Sequence, residues 1–104
     1  MITVRVCYRK GKFCSISLTG HGGGEYGKDL VCAGVSSCFV GALNALKDKD
    51  GFDCKVSSGD SSLLAVKEVN EHDKVVLETL IIQLQTIADS NPKNLYIKVS
   101  RKEG

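Results

Sequence analysis

Gly20-His21-Gly22-Gly23-Gly24-Glu25-Tyr26-Gly27-Lys28-Asp29-Leu30-Val31-Cys32-Ala33-Gly34-Val35-Ser36-Ser37 joins two periodicities. Upstream, Phe13 to Thr19 alternates apolar and polar residues, the mark of a strand with one buried face. Downstream, from Leu30 to about Lys47, Val31, Val35, Phe39, Ala42 and Leu46 recur at spacings of three and four, as on a helix with one apolar stripe. The loop between them carries Gly22, Gly23, Gly24 and Gly27, and glycine accepts almost any backbone conformation. It is expected to be open or disordered from Gly22 to Lys28 and to move when an extended ligand enters. Asp29 reads as the helix N-cap, its carboxylate accepting from the backbone N–H groups two and three residues on. Cys32 then falls at N3, in the first turn, where the helix dipole favours a thiolate over a thiol of ordinary pKa about 8.5. A base, His21, and a nucleophile, Cys32, flank the loop.

Working outward, Ile2 to Tyr8 alternates Ile2, Val4 and Val6 with Thr3, Arg5 and Cys7. With Arg9-Lys10-Gly11-Lys12 as a turn, it forms an antiparallel hairpin with Phe13 to Thr19. The first helix runs out at Lys47-Asp48-Lys49-Asp50-Gly51. Phe52 to Ser57 and Leu63 to Val69 read as a second hairpin around Ser58-Gly59-Asp60. Asn70 or Asp73 caps a second helix to about Ala88, with Val76, Leu77, Leu80, Ile81, Leu84 and Ile87 inward and Asn91-Pro92 ending it. Leu95 to Ser100 alternates as a last strand, and the tail from Arg101 should fray. This order predicts an α+β fold, one domain over residues 1–104: a two-layer sandwich with two helices on one face of a largely antiparallel sheet of about five strands. If the second sheet face is apolar it needs cover, which in so short a chain points to a homodimer.

The 104 residues carry 14 Lys and Arg against 12 Asp and Glu, a formal net charge of +2. The basic residues are scattered among acids, so no direct nucleic-acid contact is expected. No window approaches the roughly 20 apolar residues of a membrane span, and the start lacks a signal peptide, so a cytoplasmic location is expected. Five cysteines, an odd count with no C-x-x-C pair, argue against a disulfide framework and a structural zinc site, and the chemistry read below requires no metal. Cys14 alternates with Ile16 and Leu18, and Cys54 with Phe52 and Val56, as core-facing positions would. Cys38 lies on one border of the helical stripe as a packing residue, and His72 reads as a solvated surface histidine.

Cys32 lies on the opposite border of that stripe, supported by the core yet reachable, and Ser36 lies one turn further along. Asp29 has a second reading besides the cap: its carboxylate can orient His21, as the third member of a triad does. The two roles compete, because a carboxylate close to Cys32 opposes thiolate formation. Gly22-Gly23-Gly24-Glu25-Tyr26-Gly27 matches G-x-G-x-x-G formally, but no helix opens directly on it inside a parallel βαβ unit. His21-Gly22-Gly23-Gly24 imitates a lipase oxyanion loop without any G-x-S-x-G elbow. The chemistry requires no cofactor.

Gly20-His21, a glycine-containing loop, and Asp29-Leu30-Val31-Cys32-Ala33-Gly34-Val35-Ser36 resemble the signature of the bacterial ribosomal-processing cysteine proteases, the Prp family. Gly22 stands where that family usually has alanine or serine, and Gly34 where alanine is usual; both positions stay small. The resemblance implies a cysteine endopeptidase that removes a short N-terminal extension from a large-subunit ribosomal protein, cutting after an aromatic residue. Cys32 would be the nucleophile and His21 the general base, with Asp29, Ser36 and Gly20 in support. It also implies a homodimer whose partner is a ribosomal protein precursor. The rival readings are a non-enzymatic ribosome-associated binding module and a small-molecule thioesterase; redox chemistry lacks a resolving cysteine.

Overall fold

The computed structural model describes residues 1–20 and 26–103, with side chains described through residue 20 and from residue 30 on. β1 (Ile2–Arg9) and β2 (Lys12–Thr19) form the predicted hairpin, closed by Lys10 and Gly11 at φ 53° and 75°. Two consecutive positive φ values make the type I′ turn whose twist matches the flanking strands. β3 (Phe52–Lys55), β4 (Asp60–Ala65) and β5 (Leu95–Lys102) complete one sheet in the order β3-β4-β2-β1-β5. All neighbours are antiparallel except β5, which runs parallel to β1. A parallel pair needs a long crossover, and α2 (Glu71–Ser90) supplies it on the way to β5.

α1 (Tyr26–Ala45) and α2 close one face of the sheet. Val31, Val35, Phe39, Ala42 and Leu46 from α1 and Leu77, Leu80, Leu84 and Ala88 from α2 meet Val4, Val6, Ile16 and Leu63 in one buried cluster. The helical spacing therefore read the inward faces correctly, and the two-layer α+β architecture is as expected.

The opposite face differs from the premise behind the dimer. The side chains alternating with the core set there are Thr3, Arg5 and Cys7 on β1 and Ser15, Ser17 and Thr19 on β2. Arg5 is exposed and the others are half-buried, so the two central strands present a polar surface, flanked on the same face by exposed Leu64, opposite Ser15, and Tyr96, opposite Thr3. Solvation of its two central strands requires no second copy.

Several boundaries move. α1 begins three residues before Asp29, so Asp29 is the helix's fourth residue and not its N-cap, and Gly27 belongs to the helix rather than to the loop. β4 stops at Ala65 because the next N–H, on Val66, leaves the ladder and donates to Gly51 at 2.8 Å. β5 runs on to Lys102, so Arg101 and Lys102 are sheet residues and not a frayed tail; the Lys102 carbonyl accepts from Lys10 N–H at 2.8 Å.

The cysteine expectations divide. Cys38 packs against the core cluster as predicted. Cys54 is exposed, with Val56 beyond it 58% exposed, because β3 is a short edge strand that the helices do not cover. Cys14 is half-buried and outside the core cluster. Pairing passes from Cys7↔Ser15 to Tyr8↔Phe13, which makes Cys14 the extra residue of a β-bulge. The bulge sets Phe13 beside Tyr8, with ring centroids 6.5 Å apart and edge to face.

Asn70 is the cap of α2, its side chain accepting from Asp73 N–H at 2.8 Å. Asp73 caps differently. Fully buried, it accepts from the N–H groups of Lys47 at 2.8 Å and Asp48 at 3.1 Å, and from the Asn70 amide at 2.9 Å. His72 is partly exposed as expected, and its Nε2 also sits 3.0 Å from the Ala45 carbonyl. The start of α2 thereby secures the end of α1.

Candidate active site

Cys32 is the seventh residue of α1 and half-buried. Ser36, one turn later, is exposed, and both line the same cleft of about 330 Å³. This is the meeting the helical spacing anticipated. Ile2, Leu18, Val35 and Phe39 form an apolar floor, so the thiol stands at the rim of the core. Val40, 42% exposed, lies at the same opening.

The placement of Cys32 corrects the reading of its activation. Helix-dipole effects fall off within the first turn, and Cys32 lies beyond it. The N–H groups without intrahelical partners belong to a helix's first four residues, here 26–29. The N–H of Cys32 is therefore part of the helical ladder and cannot serve as an oxyanion donor.

The opposite wall of the cleft was not foreseen. It consists of Val56, Ser57, Ser58 and Gly59, in the connection between β3 and β4. In sequence, Val56 and Ser57 read as the end of a strand and Ser58 and Gly59 as a turn, and no periodicity there points to α1. Strand pairing brings it in: β4 lies against β2 with Leu18 opposite Ser61 and Thr19 opposite Asp60, so the connection arrives beside the end of β2. A local net holds its shape, with the Ser57 hydroxyl donating to the Asp60 carbonyl at 2.7 Å and the Ser61 hydroxyl to the Ser57 carbonyl at 3.1 Å.

Gly20, expected as a supporting residue, lines the cleft with φ at +105°. A side chain is excluded twice there, by that backbone conformation and because a Cβ would collide with the Met1 carbonyl. Its N–H donates to the Gly59 carbonyl at 3.0 Å. His21, Gly22, Gly23 and Gly24 lie outside the described residues, so the pairing of His21 with Cys32 lies outside them too. The side chain of Asp29 also lies outside them.

A half-buried thiol in the second turn of a helix, lining an open cleft with an apolar floor, fits the class of proteins that use a cysteine nucleophile. The model of the family described as cysteine protease Prp matches residues 1–97, and the chain belongs to that family of thiol hydrolases. The ribosomal processing cysteine protease Prp of Staphylococcus aureus is 31% identical over 101 residues, covering 91% of this chain and 95% of its own. The protein of the same name from Bacillus subtilis is 31% identical over 104 residues, at 91% and 92% coverage. Among solved structures, the essential ribosomal processing protease Prp from S. aureus in complex with a substrate peptide superimposes with a TM-score of 0.84 at 30% identity, covering 95% of this chain and 99% of that one. Its complex with a covalently linked product peptide gives 0.82 at the same identity and coverage.

Proposed function

We propose that Cys32 is the nucleophile and His21 the general base of a peptidase acting on a ribosomal protein precursor. The observation that carries this reading is the position of Cys32 on the rim of an open cleft, in a chain whose family is cysteine proteases. His21 takes the thiol proton and the thiolate attacks the scissile carbonyl carbon. As the tetrahedral intermediate collapses, the C–N bond breaks and the leaving amine takes the proton from His21, leaving a thioester on Cys32. Water, deprotonated by His21, then attacks the thioester and releases the carboxylate and the thiol. A helical Cα–Cβ bond tilts toward the N-terminus, so the Cys32 thiol leans over the preceding turn, where the unpartnered N–H groups of α1 can receive the oxyanion. With its capping role removed by the helix bounds, Asp29 is left with the other reading, in which its carboxylate orients His21. Ser36, exposed at the cleft one turn beyond Cys32, supports substrate placement.

The relatives' names carry the substrate class. They are ribosomal processing proteases, and the S. aureus enzyme has been solved with a substrate peptide and with a covalently linked product peptide. The resemblance extends this to removal of a short N-terminal extension by a cut after an aromatic residue. The apolar floor of Ile2, Leu18 and Phe39 suits such a side chain. Processing of ribosomal proteins implies a cytoplasmic site, and no described helix is long and apolar enough to cross a membrane. The homodimer now rests on the family resemblance alone. No observation favours a passive binding module or a thioesterase.

Incubation with an N-terminally extended ribosomal protein, followed by mass spectrometry of the fragments, tests the proposal. One cut after an aromatic residue, abolished in Cys32→Ala and in His21→Ala, is the expected result. Retained cleavage in Cys32→Ala would sink it.

A further inference from the structure

Six of the chain's fourteen basic residues gather round one groove at the hairpin end of the sheet: Arg9, Lys10, Lys12, Lys67, Lys74 and Arg101. They come from separate places in the chain, namely the tip of the β1–β2 hairpin, the β4–α2 connection, α2 and β5. Only two carboxylates, Glu68 and Glu78, line the same groove of about 890 Å³. The local excess of four positive charges is larger than the net +2 of the whole chain. The groove shares no lining residue with the Cys32 cleft.

Part of this charge is already matched, by Lys12 with Glu68 at 3.5 Å and Lys74 with Glu71 at 3.1 Å. Arg9, Lys10 and Lys67 are exposed and make no ion pair among the described residues. Crowded like charges oppose folding, and an anionic ligand relieves that repulsion. Beneath the rim the surface turns apolar: Tyr8 and Phe13 stand on one side and Leu77 and Ile81 of α2 on the other. The Arg101 guanidinium lies over the Tyr8 ring, 4.5 Å from its centroid.

We propose that this groove binds a single strand of RNA, phosphates on the Lys and Arg rim and a base on the apolar floor. A nucleotide answers all three features of the lining. Its phosphate meets the lysines, its planar face meets the ring and aliphatic surface, and its amino and 2′-hydroxyl donors meet Glu68 and Glu78. A run of acidic side chains brings acceptors only and would leave both carboxylates opposed. The proposal is independent of the peptidase reading.

Fluorescence anisotropy with a labelled single-stranded RNA of about 12 nucleotides, titrated between about 50 and 200 mM KCl, tests it. Contact with three or four phosphates gives a slope of log K against log salt of about −2 to −3. The triple variant Arg9→Glu, Lys10→Glu, Lys67→Glu should lose at least about tenfold in affinity, and Lys67→Gln alone should make the slope shallower by about 0.7. A matched triple variant elsewhere, Arg5→Glu, Lys93→Glu, Lys98→Glu, has the same net charge and should stay within about twofold of the parent, as the parent's contacts are local. Thermal melting checks that each variant is folded, and the single substitution decides the matter if the groove triple is not. No binding by the parent, equal loss in both triples, or unchanged affinity in the groove variants overturns the proposal. Displacement of the RNA by polyglutamate as readily as by unlabelled RNA assigns the groove to an acidic protein and overturns it too.

Discussion

The backbone N–H of Gly20 donates to the carbonyl of Gly59 across 3.0 Å, and this bond joins the end of β2 to the wall facing Cys32. One residue with positive φ therefore sets both the exit of the chain toward His21 and the width of the cleft. Gly20→Ala must move either its own backbone or Met1. The variant is expected to lose about 2 kcal/mol or more of stability and most of its peptide cleavage, since left-handed strain and a backbone collision add. Urea unfolding and a peptide assay on the same samples check this; a variant of unchanged stability would show that the cleft tolerates the shift.

Gly34 is the opposite case. A Cβ there would lie 3.5 Å from Ile87 Cδ1, an ordinary contact, and the residue is in the body of α1. Gly34→Ala should therefore stabilise the protein by about 0.5–1 kcal/mol through helix propensity. A higher urea midpoint with an unchanged slope is the expected observation, and destabilisation would mean that α1 and α2 cannot absorb one methyl.

Asp73 links stability to pH. Its burial raises the carboxyl pKa, but the hydrogen bonds from Lys47, Asp48 and Asn70, with the nearby His72, outweigh this and hold it below the usual carboxylate value. A depressed folded pKa contributes stability that is fully present above the unfolded value of about 3.9 and is lost as pH falls through the folded one. Wild type should thus lose more stability than Asp73→Asn on acidification below about pH 4. At neutral pH, Asp73→Ala should cost about 2–4 kcal/mol, because the N–H groups of Lys47 and Asp48 and the Asn70 amide lose a buried, charged acceptor. Denaturant melts across the acid range measure both; parallel curves for the two proteins would refute the linkage.

Cysteine labelling tests the reading of the thiol. Cys54 is the exposed cysteine, but partial loss of water pushes its pKa up, so less of it is thiolate at neutral pH. Cys32, half-buried and activated by His21 in the proposed mechanism, should react first with iodoacetamide near pH 7 and slow sharply in His21→Ala. Cys54 labelling should catch up as pH rises. Mapping of adducts over time shows the order, and Cys54 leading at neutral pH would count against an activated Cys32.

Alternation in Ile2–Tyr8 and Leu95–Ser100, the three-and-four spacing after Leu30 and the Asn70 cap are local patterns, and each was legible because one buried face imposes its own period. The Gly20-His21 and Asp29–Ser36 motifs named the family for the same reason, since their chemistry sits in contiguous residues. Only the tertiary structure decided the rest. The bulge at Cys14 overrode alternation because strand pairing admits an extra residue that a period cannot reveal. The early start of α1 moved Asp29 and Cys32 along the helix, since glycine and lysine in the linking stretch give no cap to read. The wall at Val56–Gly59 and the six cations at the opposite end come from segments far apart in the chain. They meet because β4 pairs with β2 and α2 returns β5 to the side of β1, and a sequence of scattered charges carries no record of that meeting.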